Sequence, residues 1–142
     1  MTQKTVLVTG SSGLIGSEAV EHFDRLEWRV IGVDNNMRRS FFGAPGDTAW
    51  NLERLKHVTK HFIPENLDVR DRAAMDQLFR TYRFDLIVHC AAQPSHDKAR
   101  EIPILDFEVN ALGTVYLLEA ARQHAPGAVF IFMSTNKVYG DA

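Results

Sequence analysis

The sequence predicts an α/β fold in which helices cover both faces of a doubly wound parallel sheet. Short runs of β-branched and aliphatic residues alternate along the chain with segments of helical periodicity. These short runs are apolar throughout rather than at every second position, which is typical of strands buried on both faces. Strands separated by helices in this way favour parallel pairing with right-handed crossover connections.

The first half of the chain predicts two strands and two helices. Residues 5–9 (TVLVT) predict the first strand, and residues 29–33 (RVIGV) predict the second. Between them, apolar side chains repeat at helical spacing at Ile15, Ala19, Phe23 and Leu26. Residues 35–48 are rich in Asn, Gly, Pro and Ser and predict a loop, and a short helix is expected over residues 50–61.

The second half predicts three further strands and two further helices. A third strand is expected within residues 62–69, although Pro64 interrupts it early. The next helix is indicated by the spacing of Met75, Leu78, Phe79 and Tyr82. Residues 85–90 predict the fourth strand, residues 106–123 a long helix, and residues 128–133 the fifth strand.

Composition excludes several classes of protein. Lys and Arg total 16 and Asp and Glu total 18 among 142 residues, a net charge of −2 without the basic excess typical of nucleic-acid binding. The single cysteine, Cys90, cannot form an intrachain disulfide. No apolar run reaches the length of a membrane span, and the first residues carry no secretory signal. We expect a cytoplasmic protein that binds neither nucleic acid nor membrane.

Three glycines lie in the turn between the first strand and the first helix. Gly10, Gly13 and Gly16 form a GxxGxxG pattern within TGSSGLIG. Glycine permits positive φ and lets the backbone approach a pyrophosphate, while the amides at the start of the helix attract the anion. This context predicts a dinucleotide-binding turn rather than a turn that only packs strand against helix. The chain has no Gly-Lys pair, which excludes a P-loop.

An acidic residue follows the second strand at the position that a dinucleotide site requires. Asp34 lies 18 residues after Gly16, where a carboxylate accepts hydrogen bonds from the adenosine ribose and repels a 2′-phosphate. NAD is therefore favoured over NADP. Arg38 and Arg39 leave the NADP alternative open, because arginines in this segment could bind such a phosphate.

Further motifs identify a resemblance that covers the whole chain. After the glycine turn they are Asp34-Asn35-Asn36, Asp68-Val69-Arg70, residues 89–93 (HCAAQ), residues 110–114 (NALGT) and residues 134–140 (STNKVYG). In this order they resemble the NAD-dependent epimerase/dehydratase family, the extended short-chain dehydrogenases, and imply a Rossmann-type fold. The stretches AAQPSHD and STNKVYGD are most similar to the CDP-paratose (CDP-tyvelose) 2-epimerase-like branch.

The resemblance implies cofactor contacts position by position. The pyrophosphate would be held by Gly10, Gly13, Leu14, Ile15 and Gly16. The adenosine ribose would contact Asp34, Asn35, Asn36 and Arg38, and the adenine would contact Asp68 and Val69. The nicotinamide half would be lined by Ala91, Ala92 and Gln93, with further cofactor-binding roles for Asn110, through backbone or water contacts, and Ser134.

The resemblance also implies the reacting end of the site. Thr135 would hydrogen-bond the reacting hydroxyl as the catalytic residue, and Ser95 and His96 are candidates for binding substrate. No metal site is predicted. The histidines lack paired ligand spacing, and His89 and Cys90 are neighbours that point to opposite faces of a strand.

The family chemistry needs a Tyr-x-x-x-Lys pair, which this chain lacks. Four residues after Tyr82 and Tyr116 stand Leu86 and Ala120, and only three residues follow Tyr139. We therefore expect residues 1–142 to be the NAD-binding domain of a longer enzyme, with the sheet truncated after its fifth strand. Alone, this part is expected to be inactive.

The expected whole protein is an NAD-dependent nucleotide-sugar epimerase. Dehydratases of the family typically carry Asp-Glu after the catalytic threonine, whereas Asn136 and Lys137 stand here and favour an epimerase or a reductase. A nucleotide sugar is the expected substrate, and a homodimer is a further expectation. The alternatives are a non-catalytic dinucleotide-binding sensor and a nucleotide-sugar reductase or dehydratase of the same family.

Overall fold

The apolar runs of the sequence pair into one parallel sheet. The computed structural model describes residues 3–134, and its strands are β1 (Thr5–Thr9), β2 (Arg29–Val33), β3 (Phe62–Glu65), β4 (Leu86–His89) and β5 (Val129–Phe132). Their order is β3-β2-β1-β4-β5, and every neighbouring pair is parallel. The strand order switches direction between β1 and β4, the kind of point at which α/β sheets bind ligands.

Seven helices occupy the described residues between these strands. They are α1 (Leu14–Arg25), α2 (Met37–Phe42), α3 (Ala49–Val58), α4 (Arg72–Thr81), α5 (His96–Glu101), α6 (Pro103–Phe107) and α7 (Gly113–His124). A 3₁₀ turn over Ala44–Gly46 follows α2, and a π-helical turn over Glu108–Leu112 joins α6 to α7.

Different helices cover the two faces of the sheet. One core cluster joins Leu7 and Ile87 of the sheet to Met75 of α4 and Leu117 of α7, all fully buried. The other joins alternate strand residues to Val20 of α1 and Leu55 of α3. Burying each Leu, Ile or Val side chain contributes about 1.5–3 kcal/mol, so these helices stabilise the sheet from both sides. The predicted doubly wound parallel fold of Rossmann type is confirmed.

Within residues 3–134, β3 and β5 are the outer strands of the sheet, and the expectation of strands buried throughout fails there. β1 and β4 are buried along their whole length, but Ile63 of β3 and Val129 and Phe132 of β5 are exposed. An edge strand is paired on one side only, and fewer elements pack over it. Among the described residues β3 pairs with β2 alone, and this one-sided pairing is why Pro64, which lacks an N–H, is tolerated inside the strand.

The predicted loop over residues 35–48 is largely helical, which corrects the sequence-based expectation. Its turn-forming residues lie at helix ends rather than in an open loop. Asn36 precedes α2 in the left-handed conformation with φ 55°, Gly43 ends α2 with φ +65°, and Pro45 lies in the 3₁₀ turn. Asn and Gly favour such capping positions, and a composition count cannot distinguish caps from loops.

The helix expected over residues 106–123 begins earlier and is interrupted. It starts at Pro103, and the π-helical turn separates α6 from α7. Gly113 opens α7 beside Val69, and an added Cβ would lie 2.9 Å from the Val69 side chain. The π-helical turn contains Asn110, one of the residues expected to support the cofactor site.

Candidate functional site

A cleft of about 290 Å³ opens where β1, β2 and β4 end. It lies at the switch point of the sheet, as expected for a ligand site of this fold class. Most of the predicted cofactor-binding residues line it together, namely Gly10, Gly13, Leu14, Ile15, Gly16, Asp34, Asn35, Arg38, Asp68, Val69, Ala91 and Ala92.

Backbone atoms lie so close to Gly10 and Gly16 that neither position has room for a side chain. Gly10 has φ +66°, and a Cβ there would lie 2.9 Å from the backbone nitrogen of Ala91. A Cβ on Gly16 would collide with the carbonyl oxygen of Gly10. The turn closes through a 3.0 Å hydrogen bond from the Gly13 N–H to the same oxygen. The turn therefore lies directly against the chain that leaves β4.

The first turn of α1 faces the cleft and begins after a glycine at the N-cap. Leu14, Ile15 and Gly16 line the cleft, and the side chain of Leu14 is 81% exposed. Its N-cap residue is Gly13, which has no side chain to bond the first amides of the helix, and no acidic residue lies in its first turn. The first amides of a helix have no hydrogen-bond partner within the helix, and together with the helix dipole they favour an anion at this position.

Asp34 is held rigidly between the glycine turn and the start of α2. Its Oδ2 accepts a 2.9 Å hydrogen bond from the Ser12 N–H, and its Oδ1 accepts a 2.8 Å bond from the Asn36 N–H. Each carboxylate oxygen has a second acceptor position. The two backbone bonds therefore fix the direction of the carboxylate and leave it able to accept hydroxyl donors from a ligand.

Asn36 lies outside the cleft lining. Its side chain forms hydrogen bonds to residues 47 and 48, at the other end of the segment that contains α2. Its Nδ2 donates to Asp47 Oδ1 at 2.8 Å, and its Oδ1 accepts from the Thr48 N–H at 3.0 Å. Hydrogen bonds from the Ala49 N–H and from Asn36, together with the charge of Arg39, hold the pKa of Asp47 below its ordinary value.

The two neighbouring arginines have different surroundings. Arg39 pairs with Asp47 at 3.0 Å. Arg38 lines the cleft, with its guanidinium 5.0 Å from the centroid of the Phe42 ring. Of the two arginines considered for a 2′-phosphate, Arg38 is therefore the one at the cleft.

Asp68 and Val69 lie at the edge of the cleft between β3 and α4. Arg70 clamps the Asp68 carboxylate, donating from Nη2 at 2.6 Å and from Nε at 3.0 Å. Partial burial raises the pKa of Asp68, but the bonds from Arg70 outweigh it and hold that pKa below its ordinary value. Asp68 is thus an ionised group with a fixed orientation.

The segment after β4 is held from behind by Asn110 in the π-helical turn. The Gln93 N–H donates to Asn110 Oδ1 at 2.8 Å, and Asn110 Nδ2 donates to the Gln93 carbonyl at 3.1 Å. The buried Gln93 amide also donates to Asp106 at 2.8 Å. Gln93 and Asn110 therefore lie beside the cleft lining, and they support the backbone that carries Ala91 and Ala92.

His89 is a buried residue that links the end of β1 to the start of α7, a role that its sequence motif did not predict. Its Nε2 lies 2.9 Å from Thr114 Oγ1, and its Nδ1 lies 2.6 Å from Thr9 Oγ1. Thr114 already donates to the Asn110 carbonyl, so it accepts from His89 Nε2–H, and Nδ1 accepts from Thr9. Burial lowers the pKa of His89 to about 4. The sequence feature that could have indicated this role is the position of His89 as the one polar residue at the end of the apolar strand β4.

The remaining predicted residues lie away from the cleft lining. Ser95 caps α5 by accepting a 3.2 Å bond from the Lys98 N–H, and His96 is the exposed first residue of that helix. Ser134 is exposed after β5. Thr135, Asn136 and Lys137 lie outside the described residues.

Residues 3–134 contain neither a cluster of metal ligands nor a membrane-spanning helix. They contain no group of three or more His, Cys, Asp or Glu side chains that could hold a metal ion. Over the same range, no helix has the length and apolar character needed to cross a membrane.

Comparison with known proteins places this architecture in a family. The model of the NAD dependent epimerase/dehydratase family matches residues 6–142. The chain belongs to this family. Members of the family depend on NAD.

Curated relatives within the family include both epimerases and dehydratases. UDP-glucose 4-epimerase 1 of Oryza sativa subsp. japonica is 32% identical over 96% of this chain and 37% of its own length. The dTDP-glucose 4,6-dehydratase of Neisseria gonorrhoeae is 35% identical over 98% of the chain and 40% of its own length. The chain thus spans about two fifths of the length of these relatives.

Solved structures of the family share the fold. The UDP-glucose 4-epimerase of Stenotrophomonas maltophila, with bound NAD and formylated UDP-arabinopyranose, has a TM-score of 0.80 at 28% identity, over 99% of this chain and 39% of that protein. The Bifidobacterium longum enzyme in complex with NAD+ and UDP has a TM-score of 0.79 at 30% identity, over 96% and 38%.

Proposed function

We propose that the cleft binds NAD through the residues that line it. The first amides of α1 supply donors for a pyrophosphate, and the glycines of the turn let the backbone approach that group closely. Gly10, Gly13, Leu14, Ile15 and Gly16 would hold this group. The observation that carries the proposal is that Asp34 is fixed by Ser12 and Asn36 at the neighbouring strand end.

We assign the other parts of the cofactor, namely the ribose, the adenine and the nicotinamide half, to further residues of the cleft. Asp34 would accept bonds from the adenosine ribose hydroxyls, with Asn35 and Arg38 beside it. Asp68 and Val69 would border the adenine. Ala91 and Ala92 would border the nicotinamide half, supported from behind by Gln93 and Asn110. Asn36 would contribute through its backbone N–H on Asp34 rather than through its side chain, which is bonded to Asp47 and Thr48.

The whole protein is proposed to be an NAD-dependent nucleotide-sugar epimerase. NAD supplies reversible hydride transfer at a sugar carbinol in such enzymes. Support comes from the relatives named as UDP-glucose 4-epimerases and from the Asn136-Lys137 pair, which replaces the acidic pair typical of the family's dehydratases. The stretches AAQPSHD and STNKVYGD favour CDP-paratose 2-epimerase-like specificity within this class.

Two further assignments complete the proposal. Thr135 would hydrogen-bond the reacting hydroxyl, and Ser134 would lie beside the cofactor. Residues 1–142 would serve as the cofactor-binding domain. Because the Tyr-x-x-x-Lys pair is absent from this chain, these residues alone are expected to show no turnover.

The net change in NADH concentration during turnover tests the epimerase proposal. An epimerase returns the hydride in every cycle, so the whole enzyme should convert nucleotide sugar without net formation or consumption of NADH. The absorbance of NADH is followed while the sugar product is quantified. Consumption of one NADH per sugar converted would instead identify a reductase.

A further inference from the structure

Asn51 is a buried polar residue that lies outside every motif of the sequence. It belongs to α3, and only 5% of its surface is exposed. Its Nδ2 donates a 2.9 Å hydrogen bond to the carbonyl oxygen of Ser12, in the middle of the glycine turn. A helix on one face of the sheet is therefore bonded directly to the turn that borders the cleft.

The orientation of the Asn51 amide follows from its neighbours. Arg54 Nε lies 2.8 Å from Asn51 Oδ1, and a guanidinium can only donate. The Ser12 carbonyl can only accept, so a single amide orientation satisfies both contacts. Arg54 is itself anchored to α1 by a 2.7 Å ion pair with Glu21. The donor that meets Ser12 is thus held in a defined position.

The bond from Asn51 fixes the peptide unit that closes the glycine turn. The carbonyl of Ser12 and the N–H of Gly13 belong to one planar trans peptide and point in opposite directions. With the carbonyl held by Asn51, the Gly13 N–H is directed to the Gly10 carbonyl, which it reaches at 3.0 Å. The N–H of Ser12 bonds to Asp34 on the other side.

We propose that Asn51 is a positioning residue for NAD, holding the glycine turn in its binding geometry from outside the cleft. This inference rests on the proposed function of the cleft. Asn51 is not among the residues that line the cleft, so it acts through Ser12. Without the amide donor, the Ser12 carbonyl loses its partner, and the peptide is free to rotate away from the geometry that bonds Gly13 to Gly10.

The test replaces Asn51 with leucine, which has a similar volume and no donor. NAD affinity is measured by calorimetry at a temperature where the variant is folded. Loss of the buried hydrogen bond should weaken NAD binding about tenfold. Leu55→Ala is the matched control, because Leu55 is fully buried on the same helix and packs in the core without bonding to the turn. It should lower the melting temperature and leave NAD affinity unchanged.

A spectroscopic readout separates positioning from a general loss of stability. In the protein without NAD, the Gly13 amide should shift in ¹H–¹⁵N spectra and exchange faster with solvent in Asn51→Leu, but not in Leu55→Ala. If Asn51→Leu does not fold, Asn51→Asp keeps an acceptor for Arg54 and removes the donor to Ser12, with the same expected results.

The possible results separate this inference from the proposed function. Wild-type NAD affinity together with an unchanged Gly13 amide in the Asn51 variants would overturn the inference. If the wild-type protein binds no NAD, the proposed function fails, whereas the Gly13 amide still reports whether Asn51 holds the turn.

Discussion

The carboxylate of Asp34 lies 2.9 Å from the backbone nitrogen of Ser12 and accepts its N–H. This bond joins the end of β2 to the turn that follows β1, across 22 residues of sequence. The two predicted elements of a dinucleotide site, the glycine turn and the acidic residue, are therefore one hydrogen-bonded unit. A change at Asp34 should affect both the ribose position and the turn.

Replacing Asp34 with asparagine is expected to weaken NAD binding and to lessen discrimination against NADP. Hydrogen bonds to a charged acceptor contribute about 1.5–3 kcal/mol, which predicts roughly a tenfold to hundredfold loss of NAD affinity. The affinity for NADP should fall less than the affinity for NAD, or should rise, because the repulsion of the 2′-phosphate disappears. Both cofactors are titrated into wild type and variant.

Asp24→Asn is the matched control for this change. Asp24 also accepts two backbone N–H groups, from Lys60 and His61, but it lies near the end of α1 that is remote from the cleft. This variant should keep the wild-type ratio of NAD to NADP affinity. An equal change of that ratio in both variants would contradict a specific role for Asp34.

Gly10→Ala is expected to impair both folding and NAD binding. Gly10 has φ +66°, and an added Cβ would meet the backbone of Ala91 at 2.9 Å. Gly43 has nearly the same φ, +65°, but no other described residue lies within 4 Å of an added Cβ there. Its ψ of −151° belongs to a backbone region that essentially only glycine adopts, so Gly43→Ala should cost this backbone strain alone, roughly 1–3 kcal/mol. Gly10→Ala should cost more and should reduce NAD affinity, as measured by thermal unfolding and calorimetry.

The protein is expected to lose stability as the pH falls from about 6.5 to about 4, because of His89. The pKa of this histidine is about 4 in the folded protein against an ordinary value of 6.5. Between these values the unfolded chain binds a proton that the folded protein does not, so the free energy of unfolding falls by up to roughly 1.4 kcal/mol per pH unit. Denaturant unfolding across this range measures the slope.

His89→Asn is expected to flatten this slope, while His96→Asn, which changes an exposed histidine at the start of α5, should not. The His89 variant should also be less stable at neutral pH, because Thr9 and Thr114 lose a shared partner. A slope that is the same in wild type and in His89→Asn would show that another group causes it.

Local sequence patterns predicted the buried half of the fold well. Strands β1 and β4 are apolar runs in the centre of the sheet, and the turn at Gly10 and Gly16 follows β1 and leads into α1, the context that the glycine pattern requires. The helix α2 was missed because Asn36 and Gly43 at its ends count as loop formers in any composition window.

The supporting residues of the site could not be predicted because their partners are distant in sequence. Asn51 contacts Ser12 across 39 residues, and His89 contacts Thr9 across 80. A polar residue on a helix is usually exposed, so Asn51 gives no local sign of burial. Only the packing of α3 against α1 and the sheet brings it to the glycine turn.

The most direct test of the central claim, that the cleft is an NAD site governed by Asp34, is a calorimetric titration of the purified protein with NAD and with NADP. The account predicts that one NAD binds per chain and that NADP binds more weakly, because the fixed carboxylate repels its 2′-phosphate. Absence of NAD binding, or a clear preference for NADP, would contradict it.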